Sequence, residues 1–175
     1  MKLGIALSGG GIRGIAHAGV LQALEDNGIR PNIIGGTSCG SMVAVMYAMG
    51  YSPYHIYILF KRYAKDIPKV DNFAVISGLK NCFNYSKVIN CFNSGEKIEE
   101  VFNRVSKRRG ISSIKNIEMP IVIPSVDLKS GKEIVFTNRI PQIKNSQKEY
   151  CKDISIGKAI RASSSFPRIF WSITI

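Results

Sequence analysis

The chain is 175 residues long and carries 24 Lys+Arg against 12 Asp+Glu, a formal charge of +12, with 45% hydrophobic residues. That length and apolar content predict one globular domain burying about two-thirds of its surface. The cysteines Cys39, Cys82, Cys91 and Cys151 have neither C-x-x-C spacing nor a nearby histidine pair, which excludes a zinc site and a disulfide-stapled mini-fold and reads as reduced thiols in a cytoplasmic protein.

Lys2 to Ser8 predicts a short buried strand. Its apolar run is too short for a secretory signal, which needs about 7–15 such residues. The glycine turn Gly9 to Gly14 follows, then a helix with Ile15, Val20, Leu21 and Leu24 on its apolar face and Gly28 as C-cap. Asn32 to Thr37 predicts an apolar strand, and Ser38 leads into a helix through Ser41 to Met49, closed by Gly50. Two strand–turn–helix units predict a parallel sheet with helical crossovers. Pro53 opens another helical pattern to about Asp66, carrying Tyr54, Tyr57, Phe60 and Tyr63.

Residues 31 to 60 contain no Asp, Glu, Lys or Arg. Glycines, serines and Pro53 interrupt them well before the ~18 consecutive apolar residues of a spanning helix accumulate, so they read as buried core. Residues 67 to 93 suit a loop or cap excursion. A helix then starts near Ser94, with Ile98, Val101, Phe102 and Val105 inward. Met119 to Asp127 and Glu133 to Phe136 flank the turn Lys129-Ser-Gly131 as a hairpin-like pair. Ser155 to Ser163 is a short helix, and Ile169 to Ile175 begins a strand.

The charge is uneven: residues 1 to 60 carry +1, residues 61 to 115 carry +7 and residues 116 to 175 carry +4. The basic middle, including Lys107-Arg108-Arg109, would attract an anionic partner such as a phospholipid surface or nucleic acid, unless it is simply a solvated face. Phe60, Phe73, Phe83 and Phe92 could add apolar insertion there or pack under a cap.

Gly36-Thr37-Ser38-Cys39-Gly40 is a G-x-S-x-G sequence between an apolar strand and a helix, the context of a nucleophile elbow. The serine occupies a strained turn, and small residues two before and two after it let strand and helix approach. Acyl transfer also needs donors for a developing oxyanion. Gly9-Gly-Gly-Ile12-Arg13-Gly14 opens the first helix, where backbone N–H groups can converge on an anion and Arg13 adds positive charge. Gly9, Gly11 and Gly14 also satisfy the dinucleotide fingerprint, but that fingerprint requires an acidic residue about twenty positions on, where this chain has none. No Gly-Lys-[Ser/Thr] follows, so a P-loop fails too.

The histidines are His17 and His55, so the order Ser…Asp…His cannot be built after Ser38. His17 could in principle reach the site, but a helix histidine one turn past a glycine loop is more often a packing or loop-bracing residue. A carboxylate whose pKa approaches the working pH can deprotonate a serine directly, which admits a Ser–Asp dyad.

These two motifs and their spacing resemble the patatin-like phospholipases. Val126 to Phe136 is similar to that family's strand pair, and Ala159 to Pro167 to its late helix and turn. The resemblance covers essentially the whole chain and implies a three-layer α/β/α fold with a mostly parallel sheet, forming one catalytic domain over residues 1–175. It implies that Ser38 is the nucleophile, that Gly36, Cys39 and Gly40 shape its elbow, and that Gly9, Gly10, Gly11, Ile12 and Arg13 form the oxyanion hole, with no metal or cofactor. The implied substrate is a phospholipid or other acyl-ester lipid; the basic middle, if it is a membrane-facing surface, would add peripheral contact with an anionic membrane, and no nucleic-acid partner is expected.

The family's dyad aspartate lies in an Asp-Gly-Gly or Asp-Gly-Ala motif, and no Asp-Gly occurs here. Asp127 matches a non-catalytic position. The expectation is that the aspartate lies beyond residue 175 and that these residues alone hydrolyse poorly or not at all. The competing expectation is a non-catalytic module that binds lipid or another anionic ligand.

Overall fold

The computed structural model describes residues 2–63, 95–142 and 145–165. Strand β1 (Gly4–Leu7) leads through a 3-10 turn (Gly11–Ile15) into α1 (Ala16–Asp26). Strand β2 (Ile33–Gly36) leads into α2 (Cys39–Ala48) and α3 (Pro53–Tyr63). After residues 64–94, α4 (Glu96–Lys107) precedes β3 (Ile121–Val126), β4 (Glu133–Thr137), β5 (Lys148–Cys151) and α5 (Ile156–Ser164). The predicted start of α4 at Ser94, the loop at 67–93, Phe73, Phe83, Phe92 and the strand from Ile169 lie outside the described residues.

The strands form one sheet in the order β1-β2-β3-β4-β5. Pairs β1–β2, β2–β3 and β4–β5 are parallel, and β3–β4 is the predicted antiparallel pair. Its turn is tied by Asp127, whose carboxylate accepts the backbone N–H groups of Lys129 and Ser130. Helix α2 is buried on every side from Cys39 to Tyr47. A helix that is apolar all round belongs inside a layered fold, and α2 packs on β1, β2 and β3 and against α5.

Helix α4 is amphipathic, with Ile98, Phe102 and Val105 buried as predicted. It crosses α5 at Gly157, where a Cβ would come within 2.1 Å of the Glu99 carbonyl oxygen. Asn103 Oδ1 accepts the Gly157 N–H there at 2.8 Å, and Arg161 pairs with Glu99 at 2.9 Å. Ser155 caps α5 by accepting the Lys158 N–H.

Three expectations need correction. Strand β1 is not wholly buried: Gly4 and Ala6 are exposed, because β1 ends the sheet among the described residues and its alternate side chains face away from α2. Val20 is 53% exposed, whereas Leu21 beside it is fully buried. The segment from 31 to 60 is core only in part, since α3 buries Ile56 and Phe60 but exposes Tyr54, Tyr57 and Ile58.

Candidate active site

Strands β1 and β2 run in register from Gly4↔Ile33 to Leu7↔Gly36 and end together. The Thr37 N–H donates to the Leu7 carbonyl at 3.1 Å, so Ser8 and Thr37 leave the same sheet edge side by side. Pairing of β2 with β3 covers only Ile34↔Ile121 and Gly35↔Val122. The next residues of β2 are thereby free to turn into the elbow.

Ser38 has φ 53° and ψ −123°, the only positive φ of a non-glycine residue among the described residues. An L side chain tolerates this region poorly, so the surrounding contacts must hold it. The glycines on either side permit them. A Cβ on Gly36 would lie 2.3 Å from the Gly40 carbonyl oxygen, and a Cβ on Gly40 would lie 2.4 Å from that of Leu7. Ser38 is half-buried at the N-cap of α2, where the helix dipole favours developing negative charge.

The glycine loop lies against this serine. A Cβ on Gly9 would sit 3.3 Å from Ser38 Cβ. Gly11 has φ +57° in open space, the Arg13 N–H turns back to the Gly10 carbonyl at 3.3 Å, and Ile12 and Arg13 are exposed. Gly14 fits beneath Cys39, whose Sγ would be 1.5 Å from a Cβ placed there. Burial pushes the Cys39 thiol pKa up, partly offset by a hydrogen bond from the Gly14 backbone, so this thiol is no thiolate nucleophile at neutral pH.

His17 braces the loop, as expected of it: its Nε2 lies 2.9 Å from the Ser8 carbonyl oxygen, which can only accept, so Nε2 carries the proton. His55 meets the Ser52 hydroxyl at the start of α3. The described aspartates are engaged elsewhere. Asp26 accepts from Gln22, and Asp153 pairs with Lys115 at 2.7 Å. Asp127 is held below the usual carboxylate range by the Ser130 hydroxyl and the turn N–H groups. Asp66 and Asp71 lie outside the described residues.

Sequence reasoning missed Ser163. Its hydroxyl accepts the Ser38 backbone N–H at 3.2 Å and donates to the Pro124 carbonyl at 2.7 Å. In the other direction, Ser125 Oγ donates to the Ala162 carbonyl at 3.2 Å, stitching the last turn of α5 to the end of β3. The serine run after Ala162 was visible in the sequence, but its reach to the elbow is a tertiary fact. Arg109 is also placed differently from a free surface cation. It stacks on Tyr51 at 4.3 Å and donates to the Gly50 carbonyl, closing the C-terminal end of α2.

A family model described as patatin-like phospholipase matches residues 5–174. The chain belongs to the patatin-like phospholipase family. This patatin-like chain is similar to Lysophospholipase NTE1 of Candida albicans, with 48% identity over 68 residues that make up 39% of this chain and 5% of that protein. With Lysophospholipase NTE1 of Saccharomyces cerevisiae it shares 47% identity over 68 residues, 39% of this chain and 4% of that one. The matched stretch is thus a small fraction of these relatives' length.

Two solved structures share the fold. The type III effector protein ExoU aligns over 95% of this chain and 40% of its own, with TM-score 0.53 and 17% identity. Full-length ExoU with SpcU, from the type III secretion system of Pseudomonas aeruginosa, aligns over 95% and 38%, with TM-score 0.55 and 18% identity. At such identities the likeness speaks for architecture, and it agrees with the three-layer α/β/α class and its mostly parallel sheet. No helix among the described residues is long and apolar enough to cross a membrane.

Proposed function

We propose that this chain is the nucleophile-bearing part of a lipid acyl hydrolase acting on a phospholipid or related acyl ester. The observation that carries the reading is Ser38, held at positive φ on the N-terminus of α2 with Gly9 against it. Family membership supports the substrate class.

Ser38 Oγ attacks the ester carbonyl and passes its proton to an aspartate carboxylate other than Asp26, Asp127 and Asp153, which are engaged elsewhere. The carbonyl oxygen becomes an oxyanion facing the N–H groups of the Gly9–Arg13 loop, whose glycines admit close approach. Collapse expels the alcohol, which takes the proton back from the aspartate. Water then attacks the acyl-serine, with the same carboxylate as base, and releases the fatty acid.

The test uses the gene product extending through any Asp-Gly-Gly or Asp-Gly-Ala downstream of Ile175. It should hydrolyse a p-nitrophenyl acyl ester and react with a fluorophosphonate, and Ser38→Ala should abolish both with an unchanged circular dichroism spectrum. Retention of most activity in Ser38→Ala would remove Ser38 from the mechanism. Vesicle binding without any hydrolysis or labelling by the parent would favour a non-catalytic lipid-binding module.

A further inference from the structure

We propose that the outer surface of the α1–α3 helix pair docks on an anionic lipid bilayer, an inference that rests on the lipid acyl hydrolase reading above. On α1 and the turn before it, the exposed residues Ile12, Ala16, Gly19, Val20 and Ala23 recur at helical spacing and line one face. Ile12 is 59% and Val20 53% exposed, and the stripe is uncharged from Ala16 to Ala23, between exposed Arg13 at its start and exposed Asp26 at its end. A surface helix ordinarily turns such a face inward.

Helix α3 packs against α1 and adds Tyr54, 64% exposed, with Tyr57 and Ile58 on the next turn. The turn after that presents Lys61 and Arg62, both exposed, with Lys61 Nζ 6.0 Å from the centre of the Tyr57 ring. Helix α3 has no acidic residue. Tyrosines beside aliphatic side chains, bordered by lysine and arginine, are the composition of a helix lying in the headgroup region.

A bilayer fits this surface better than a protein partner does. Protein interfaces concentrate their energy in anchors that fill pockets. Here alanines and a glycine leave α1 smooth; a Cβ on Gly19 would meet nothing within 4 Å. Lys61 and Arg62 on the acid-free α3 complement anionic headgroups, and the apolar stripe complements the acyl boundary. The stripe also starts at Ile12, within the glycine loop that flanks Ser38. A bilayer seated on it would bring ester groups to the candidate nucleophile.

This surface differs from the basic run Lys107-Arg108-Arg109 in that it carries both an apolar and a cationic component. Arg109, moreover, is committed to Tyr51 and Gly50.

The test is flotation of the protein in its Ser38→Ala form with vesicles of phosphatidylcholine alone or with 30 mole per cent phosphatidylserine. Silencing Ser38 keeps the lipid intact during the measurement. The parent should bind the phosphatidylserine vesicles more tightly, and rising salt should weaken binding. Lys61→Gln and Arg62→Gln should each lower the partition coefficient roughly 5-fold on anionic vesicles and hardly at all on neutral ones. Tyr54→Ser with Ile58→Ser, or Val20→Glu, should lower it at least about 10-fold on both. Restored to Ser38, these variants should hydrolyse a soluble p-nitrophenyl ester at the parent rate.

Binding unaffected by the α1 and α3 variants would overturn the proposal, as would equal binding to both vesicle types at low salt. A parent that self-associates in light scattering, with Val20→Glu monomeric and vesicle binding unchanged, would assign the surface to a second copy instead. Failure of docking with Ser38-dependent ester hydrolysis intact would leave the hydrolase reading standing. Surface-dependent vesicle binding without Ser38 chemistry would leave docking standing alone.

Discussion

The Ser163 hydroxyl binds the Ser38 backbone N–H and the Pro124 carbonyl at once, at 3.2 Å and 2.7 Å. Both partners are backbone groups of fixed polarity, so the single hydroxyl proton must point to Pro124 and a lone pair to Ser38. The hydroxyl thereby bridges β3 and the elbow just past the last paired residues, Gly35 and Val122. It ties the strained residue to two elements that lie 86 and 125 positions further along the chain.

Ser163→Ala should therefore leave a half-buried N–H and a carbonyl unpaired and lower stability by about 1–3 kcal/mol. Loss of the tie should also slow fluorophosphonate capture of Ser38 by roughly 10–100-fold, measured well below the melting temperature. Ser163→Thr, which keeps the hydroxyl, should recover most of both. Capture at the parent rate in Ser163→Ala would show that the elbow holds its shape without this bond.

Ser38→Gly should raise stability by about 1 kcal/mol while abolishing capture, because glycine adopts φ 53° without the Cβ penalty. Ser38→Ala keeps the penalty and should show no such gain. Equal melting temperatures for the two variants would mean that the positive φ stores no strain.

Gly14→Ala would drive a methyl into the Cys39 thiol, which lies 1.5 Å from the ideal Cβ position, and should cost about 1–3 kcal/mol or more. Cys39→Ala alone should be mild. The double variant should regain most of the loss, since the thiol is the first obstruction. Additive losses in a thermal double-mutant cycle would contradict the contact.

Gly9→Ala brings a methyl 3.3 Å from Ser38 Cβ, whereas Gly10→Ala has 4.0 Å of clearance to its first neighbour, the Gly14 nitrogen. Both should fold. Gly9→Ala should slow ester hydrolysis by roughly 10–100-fold through crowding at the nucleophile. An effect no larger than that of Gly10→Ala would mean that the loop gives way.

Burial and the Glu25 carboxylate, which accepts its hydroxyl at 3.0 Å, push the Tyr47 phenol up to about 12 from 10.0. The fold favours the neutral phenol, so the unfolded chain loses its proton first as pH rises. This contribution is fully present below pH 10 and is lost progressively between pH 10 and about 12. Ultraviolet titration should show a late-titrating tyrosine that Tyr47→Phe removes. The same substitution should flatten the alkaline fall in stability.

Much of the framework was legible from local pattern alone. The apolar runs at Lys2 and Asn32, the glycine stops at Gly28 and Gly50, and the turn around Gly131 each encode their conformation within a few residues, through periodicity and positive φ. Strand β5 was not legible. Its residues Lys148 to Cys151 look like loop, and it becomes a strand by pairing with β4, with Lys148–Glu133 and Lys132–Glu149 ion pairs across the two.

The same division runs through the candidate site. Ser38 and the glycines around it declared themselves because small residues flanking a serine between strand and helix have a steric reason to be there. Which hydroxyl would steady that serine, and that Arg109 would stack on Tyr51, were decided only when α5 and α4 packed into place, since those contacts join residues far apart in the chain. The outward turn of Val20, Tyr54 and Tyr57 was decided the same way. Helical spacing lines residues up on one face, but only the neighbours present determine whether that face is covered.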